Sequence, residues 1–76
     1  MPPLPACSGR EAVRAFERAG WTVARRKGSH IILTHDGQAT TLSVPDHRDL
    51  RPGTLRSLIR SADLSVDEFS DFLGRR

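Results

Sequence analysis

The sequence predicts one α+β domain of order α-β-β-β-α, a three-stranded antiparallel sheet with helices on one face. Three observations lead there. Two S-x-x-E capping boxes, Ser8 with Glu11 and Ser65 with Glu68, mark helix starts near either end of the chain. Between them lie three short runs with β-branched residues, punctuated by glycine-containing turns. The links between these runs are too short for a crossover, so neighbouring strands must run antiparallel.

Each element has its own signal. After Ser8, the residues Ala12, Val13, Phe16 and Ala19 recur at helical spacing, and Gly20 supplies the stop. "WTVARR" alternates Trp21 and Val23 against Thr22 and Ala24 and reads as the first strand, broken by Gly28. "HIILTH" is the second strand. Asp36-Gly37 predicts a type I′ hairpin turn, whose two central positions both need positive φ. "QATTLSV" is the third strand, closed by Pro45.

"DHRDLRPG" then reads as a polar loop, with Pro52 in the first turn of the next helix, where its missing N–H costs nothing. Leu55, Leu58, Ile59 and Ala62 form that helix's apolar stripe, with Leu64 tucked in behind. Val66, Phe69, Phe72 and Leu73 give a short closing helix one apolar face. The helices must cover one face of the sheet and leave the other open to a partner. This is also the order of elements in double-stranded-RNA-binding domains.

Seventy-six residues make one domain. Residues 1–7, "MPPLPAC", read as a disordered lead and 8–76 as the domain. A chain this short buries only about 60% of the surface its unfolded form exposes, so its core is a single cluster without a deep cleft. Of its 12 basic residues 11 are arginine, and the net charge is +3. Arginine's planar fork suits phosphate, although the same bias arises from GC-rich codon usage. Cys7 stands alone, which excludes an internal disulfide and a cysteine metal cluster and favours a reducing cytoplasm. The longest apolar runs are three or four residues, against roughly 20 for a membrane span. The opening residues lack the charged and apolar regions of a signal peptide.

The stretch "RRKGSHIILTH" concentrates the chemistry. Arg25, Arg26 and Lys27 supply positive charge for phosphate, Gly28 permits close approach of backbone to a ligand, and Ser29 adds a hydroxyl. His30 follows where a turn becomes a strand. Metal-free RNA cleavage needs a base for the 2′-hydroxyl proton, an acid for the leaving oxygen and cations around the phosphorane. Histidine can take either proton role near neutral pH. On the strand His30 shares a face with Ile32 and Thr34, opposite Ile31 and Leu33. Both sets hold apolar residues, so parity leaves open which face is core.

Other candidates carry less. His35 abuts the hairpin turn and reads as solvent-exposed, a bystander. Asp46, His47 and Asp49 resemble a metal trio but fit turn and capping residues better, so no metal ligand is assigned. Arg56 and Arg60, one turn apart on the second helix, either hold phosphate or form a solvated face. Trp21 and Phe16 read as core rather than base-stacking platforms, and Phe69 and Phe72 as core or as a patch for a protein partner. The chain has no P-loop, dinucleotide fingerprint, H-x-x-x-H or nucleophile elbow.

Three blocks in order carry a resemblance: "SGREAVRAFERAGW", "RRKGSHIILTHDG" and "VPDHRDLRPGTLRSLIRSADLSVDEF". Together they span Ser8 to about Leu73. They resemble the HicA toxins, small messenger-RNA interferases also called YcfA-like proteins. The resemblance implies a fold like a double-stranded-RNA-binding domain and RNA cleavage without a metal or other cofactor. It makes the histidine of the Gly-Ser-His signature, here His30, catalytic, with Lys27, Gly28 and Ser29 as signature neighbours. It also implies a HicB-type antitoxin as partner, covering that histidine. The chain departs from the family at Ile31, where members often carry a polar residue, and an apolar side chain there would face RNA or antitoxin. The hairpin also lacks the proline that members often carry before Asp-Gly.

Two functions follow from this reading. One is a ribonuclease toxin in which His30 transfers protons and Arg25–Lys27, with Arg56 and Arg60, holds phosphate. The alternative is a non-catalytic RNA- or protein-binding module of the same fold. The intact Gly28-Ser29-His30 step favours the enzyme, since a pure binder needs cations but not that histidine.

Overall fold

Both capping boxes form. In the computed structural model, which describes residues 3–74, the Ser8 hydroxyl accepts from the Glu11 N–H at 3.1 Å while the Glu11 carboxylate accepts from the Ser8 N–H at 2.9 Å. Ser65 and Glu68 repeat the arrangement at the same distances. These reciprocal bonds satisfy N–H groups that a helix start otherwise leaves unpaired. They open α1 (Gly9–Arg18) and α3 (Val66–Leu73). Between these helices come β1 (Thr22–Lys27), β2 (His30–Thr34), β3 (Leu42–Pro45) and α2 (Pro52–Ser61). Pro52 sits in the first turn of α2, as its φ restriction favours.

The strands form an antiparallel sheet of order β1-β2-β3. Leu33, Leu42 and Val44 are fully buried and face the helices. Ile31 is half-buried and packs against the same core. Strand parity therefore turns His30, Ile32 and Thr34 to the open face. This corrects the expectation for Ile31, whose side chain belongs to the core side; Ile32 takes the open face instead.

Phe16 of α1 and Phe69 of α3 are both fully buried, their rings 5.1 Å apart and tilted by 46°. Such a pair contributes about 0.5–1.5 kcal/mol beyond its area burial. Trp21 is buried as well, just ahead of β1. The stripe of α2 is buried at Leu55, Leu58, Ile59 and Ala62, as its spacing predicts.

Two strand details differ from expectation. Val23 is 40% exposed, because β1 is an edge strand with a bulge between Val23 and Arg25. The third strand begins only at Leu42, so residues 38–41 lie outside it. At Asp36-Gly37 only Gly37 has positive φ, at 82°, and the Gln38 N–H donates to the His35 carbonyl at 3.0 Å. That is the φ pattern of a type II turn, not type I′. A two-residue turn would have set Thr40 against Leu33; the observed register pairs Leu42 with Leu33 and Val44 with Ile31. Burial of two large aliphatic side chains outweighs the local turn preference.

The opening residues also contribute to the core. Cys7 is buried, Leu4 packs against the cluster, and the Cys7 carbonyl accepts from the Leu50 N–H at 3.0 Å. Residues 1 and 2 of the expected lead, and 75 and 76 of the expected domain, lie outside the described residues.

Candidate functional site

Gly28 and Ser29 are the two loop residues of a tight hairpin, because Lys27 pairs directly with His30. Gly28 has φ of +59° and Ser29 does not share the positive sign, the pattern of a type II′ turn. Beyond Gly28 and its two chain neighbours, no atom lies within 4 Å of where a Gly28 Cβ would stand. Its need for glycine is therefore conformational.

The bulge decides which cation meets the histidine. Ahead of it Val23 pairs with Leu33; beyond it Arg25 pairs with Ile32, Arg26 with Ile31 and Lys27 with His30. Ala24 is the extra residue. An unbroken ladder would have set Arg26 opposite His30. Directly paired residues share a face, so Lys27 and Arg25 project with His30 and Ile32. His30 is exposed at the start of the central strand, between Lys27 on β1 and Pro45 on β3.

Arg26 goes to the helix-covered side. Its Nη2 donates to Asp46 Oδ2 at 2.7 Å, and Arg10 Nε of α1 donates to Asp46 Oδ1 at 3.3 Å. The Asp46 side chain is only 13% exposed. Its hydrogen bond from Arg26, reinforced by Arg10, holds the carboxyl below the usual carboxylate range despite some desolvation. The Asp46 N–H also donates to the Ser29 carbonyl at 2.7 Å. Residue spacing gave no sign of this clamp, since Arg10, Arg26 and Asp46 are distant in sequence.

The remaining candidates fall elsewhere. Arg56 and Arg60 line a shallow depression at the α2–α3 corner with Ile59, Leu64 and Val66, which includes no residue of the 25–30 run. His47 is exposed, and its carbonyl accepts from the Gly9 N–H at 2.9 Å. His35 is half-buried rather than exposed, with its ring 5.2 Å from Trp21 in an edge-on contact. Its Nδ1 donates to the Asp36 carbonyl at 2.7 Å. A side chain at Gly20 would collide with that ring, so His35 helps close the α1–β1 corner. No helix among the described residues is long and apolar enough to cross a membrane.

This fold, with a Lys-Gly-Ser-His hairpin tip at the edge of an open sheet, has a match among known families. Residues 9–64 match the model of the HicA toxin of bacterial toxin–antitoxin systems. The chain belongs to the HicA toxin family. The matched span runs from the first residue of α1 to Leu64, just ahead of α3, and includes the whole hairpin. Among solved structures, the chain resembles one in a toxin–antitoxin complex from Streptococcus pneumoniae, with 29% identity and a TM-score of 0.69. That similarity covers 76% of this chain and 98% of the other. No curated protein matches the sequence. As a HicA-family chain it stands among the toxins of toxin–antitoxin pairs.

Proposed function

We propose that this HicA-family chain is an endoribonuclease that cleaves messenger RNA, with His30 as a proton-transfer group and no metal or cofactor. A HicB-type antitoxin neutralises it by covering the open sheet face. The observation that carries the reading is the placement of His30. It is an exposed imidazole on the central strand, paired with Lys27 and sharing its face with Arg25.

RNA carries its own nucleophile. Removal of the 2′-hydroxyl proton lets that oxygen attack the adjacent phosphorus, the phosphorane collapses, and the 5′-oxygen leaves with a proton. His30 supplies one of the two proton transfers, as base or as acid. Lys27 and Arg25 stand where the extra negative charge of the phosphorane develops, the position at which fixed cations lower a barrier most. The open face admits a strand of RNA without a cleft. Arg56 and Arg60 stand on α2 in the helical layer and line a depression that includes no residue of the 25–30 run. Messenger RNA as substrate places the action in the cytoplasm.

Expression of the wild type and His30→Ala in cells, with growth and messenger RNA followed, tests the proposal. Growth arrest and RNA loss are expected only for the wild type. Equal arrest by both removes His30 as the catalyst. Intact RNA and normal growth with both would defeat the toxin reading. A small acidic protein encoded in the adjoining reading frame is the expected antitoxin.

A further inference from the structure

We infer that Asp46 is a positioning residue for His30, acting through Arg26 and the Ser29 carbonyl; the inference rests on the proposed role of His30. Asp46 lies at the end of β3, immediately after Pro45, the residue paired with His30. From there it grips the hairpin tip twice, by its carboxylate to Arg26 at 2.7 Å and by its N–H to the Ser29 carbonyl at 2.7 Å. Its other carboxylate oxygen accepts from Arg10 of α1 at 3.3 Å.

The first turn of α1 bears on the same place. Gly9 lies so close to Pro45 that a Cβ there would overlap the Pro45 carbonyl, and its N–H donates to the His47 carbonyl at 2.9 Å. A two-residue hairpin tip on an edge strand would otherwise be among the parts of a fold that open most readily. Proton transfer tolerates little such motion, because displacement of a reacting group by about 1 Å can cost up to a hundredfold in rate. The bulge turns Arg26 to the helix-covered side, where Asp46 holds it, so the open face presents Arg25 and Lys27 alone from the basic run. An ion pair that served stability only would have little effect on turnover in a folded protein.

Steady-state RNA cleavage by the purified protein separates these roles. Asp46→Asn should lower kcat about tenfold and leave KM unchanged, because strand parity keeps Arg26 off the open face. Asp46→Glu should restore part of the loss. Arg26→Ala, which opens the clamp from its exposed side, should lower kcat in the same way, and the double variant should be no slower than the slower single one. A kcat for Asp46→Asn within about twofold of wild type, a raised KM with kcat intact, or additive effects in the double variant would overturn the inference. His30→Ala belongs in the same assay. If it cleaves like the wild type, His30 is not the catalyst, and positioning is judged by amide hydrogen exchange. Several-fold faster exchange at Gly28–His30 in Asp46→Asn, with Leu33 unchanged, upholds the clamp, and unchanged exchange at the tip overturns it.

Discussion

Lys27 stands directly across the hairpin from His30, and it does so because Ala24 is bulged out of β1. The bulge changes the parity of every residue beyond it. It sends Arg25 and Lys27 to the open face and Arg26 to the opposite side, where Asp46 receives it. Three adjacent cations therefore divide into two groups with different work.

That division predicts different binding behaviour. Arg25→Ala and Lys27→Ala should each weaken binding of an uncleavable RNA analogue and reduce the slope of log affinity against log salt by about 1. Arg26→Ala, which removes a cation from the opposite side, should leave the slope unchanged. Affinities measured over a series of salt concentrations decide, and equal slopes for all three variants would contradict the division.

The turn makes a prediction about stability. Gly28 has φ of +59° with open space around it, so Gly28→Ala meets no clash but adopts a sparsely populated backbone conformation that costs an L-residue about 1–3 kcal/mol. Gly53, in the first turn of α2, also has open space and no positive φ. Gly53→Ala should stabilise by about 0.4–1 kcal/mol through the unfolded chain. Urea unfolding of the two variants should give opposite signs.

Strand parity gives a third test. Leu33→Ala opens a cavity at a fully buried site and should cost about 2–5 kcal/mol. Ile32→Ala, on the half-buried open face, should cost clearly less while altering RNA affinity. Denaturant midpoints and binding measured on the same pair check both halves.

Asp46 links stability to acid. Its carboxyl is held below the ordinary value of about 3.9, because Arg26 and Arg10 stabilise its charged form. A group with a depressed folded-state pKa contributes stability that is present above its unfolded pKa and is lost as pH falls through its folded one. Wild type should therefore exceed Asp46→Asn in Tm at neutral pH, and the gap should close as pH falls below about 4. Melting curves from pH 7 to pH 2 would show it, and a gap that is constant or widens in acid would contradict the assignment.

Local signals were sufficient for much of this molecule. Ser8 with Glu11 and Ser65 with Glu68 act within one turn of helix, so their reading needed no knowledge of distant residues. The Pro52 helix start and the stripe of α2 were legible for the same reason. His30 could be singled out because a tight glycine turn, cations and an imidazole lie within six residues.

What the tertiary structure decided depends on register and on long-range contact. The face taken by His30 followed from which aliphatic set, Ile31 with Leu33 or Ile32 alone, met α1 and α2. The later start of β3 followed from pairing Leu42 with Leu33 and Val44 with Ile31, against the local preference of Asp36-Gly37. His35 found Trp21, and Asp46 found Arg10 and Arg26 across 36 and 20 residues. Short-range patterns encode caps and periodicity; a bulge, a register and a clamp emerge only when distant segments compete to bury the same surface.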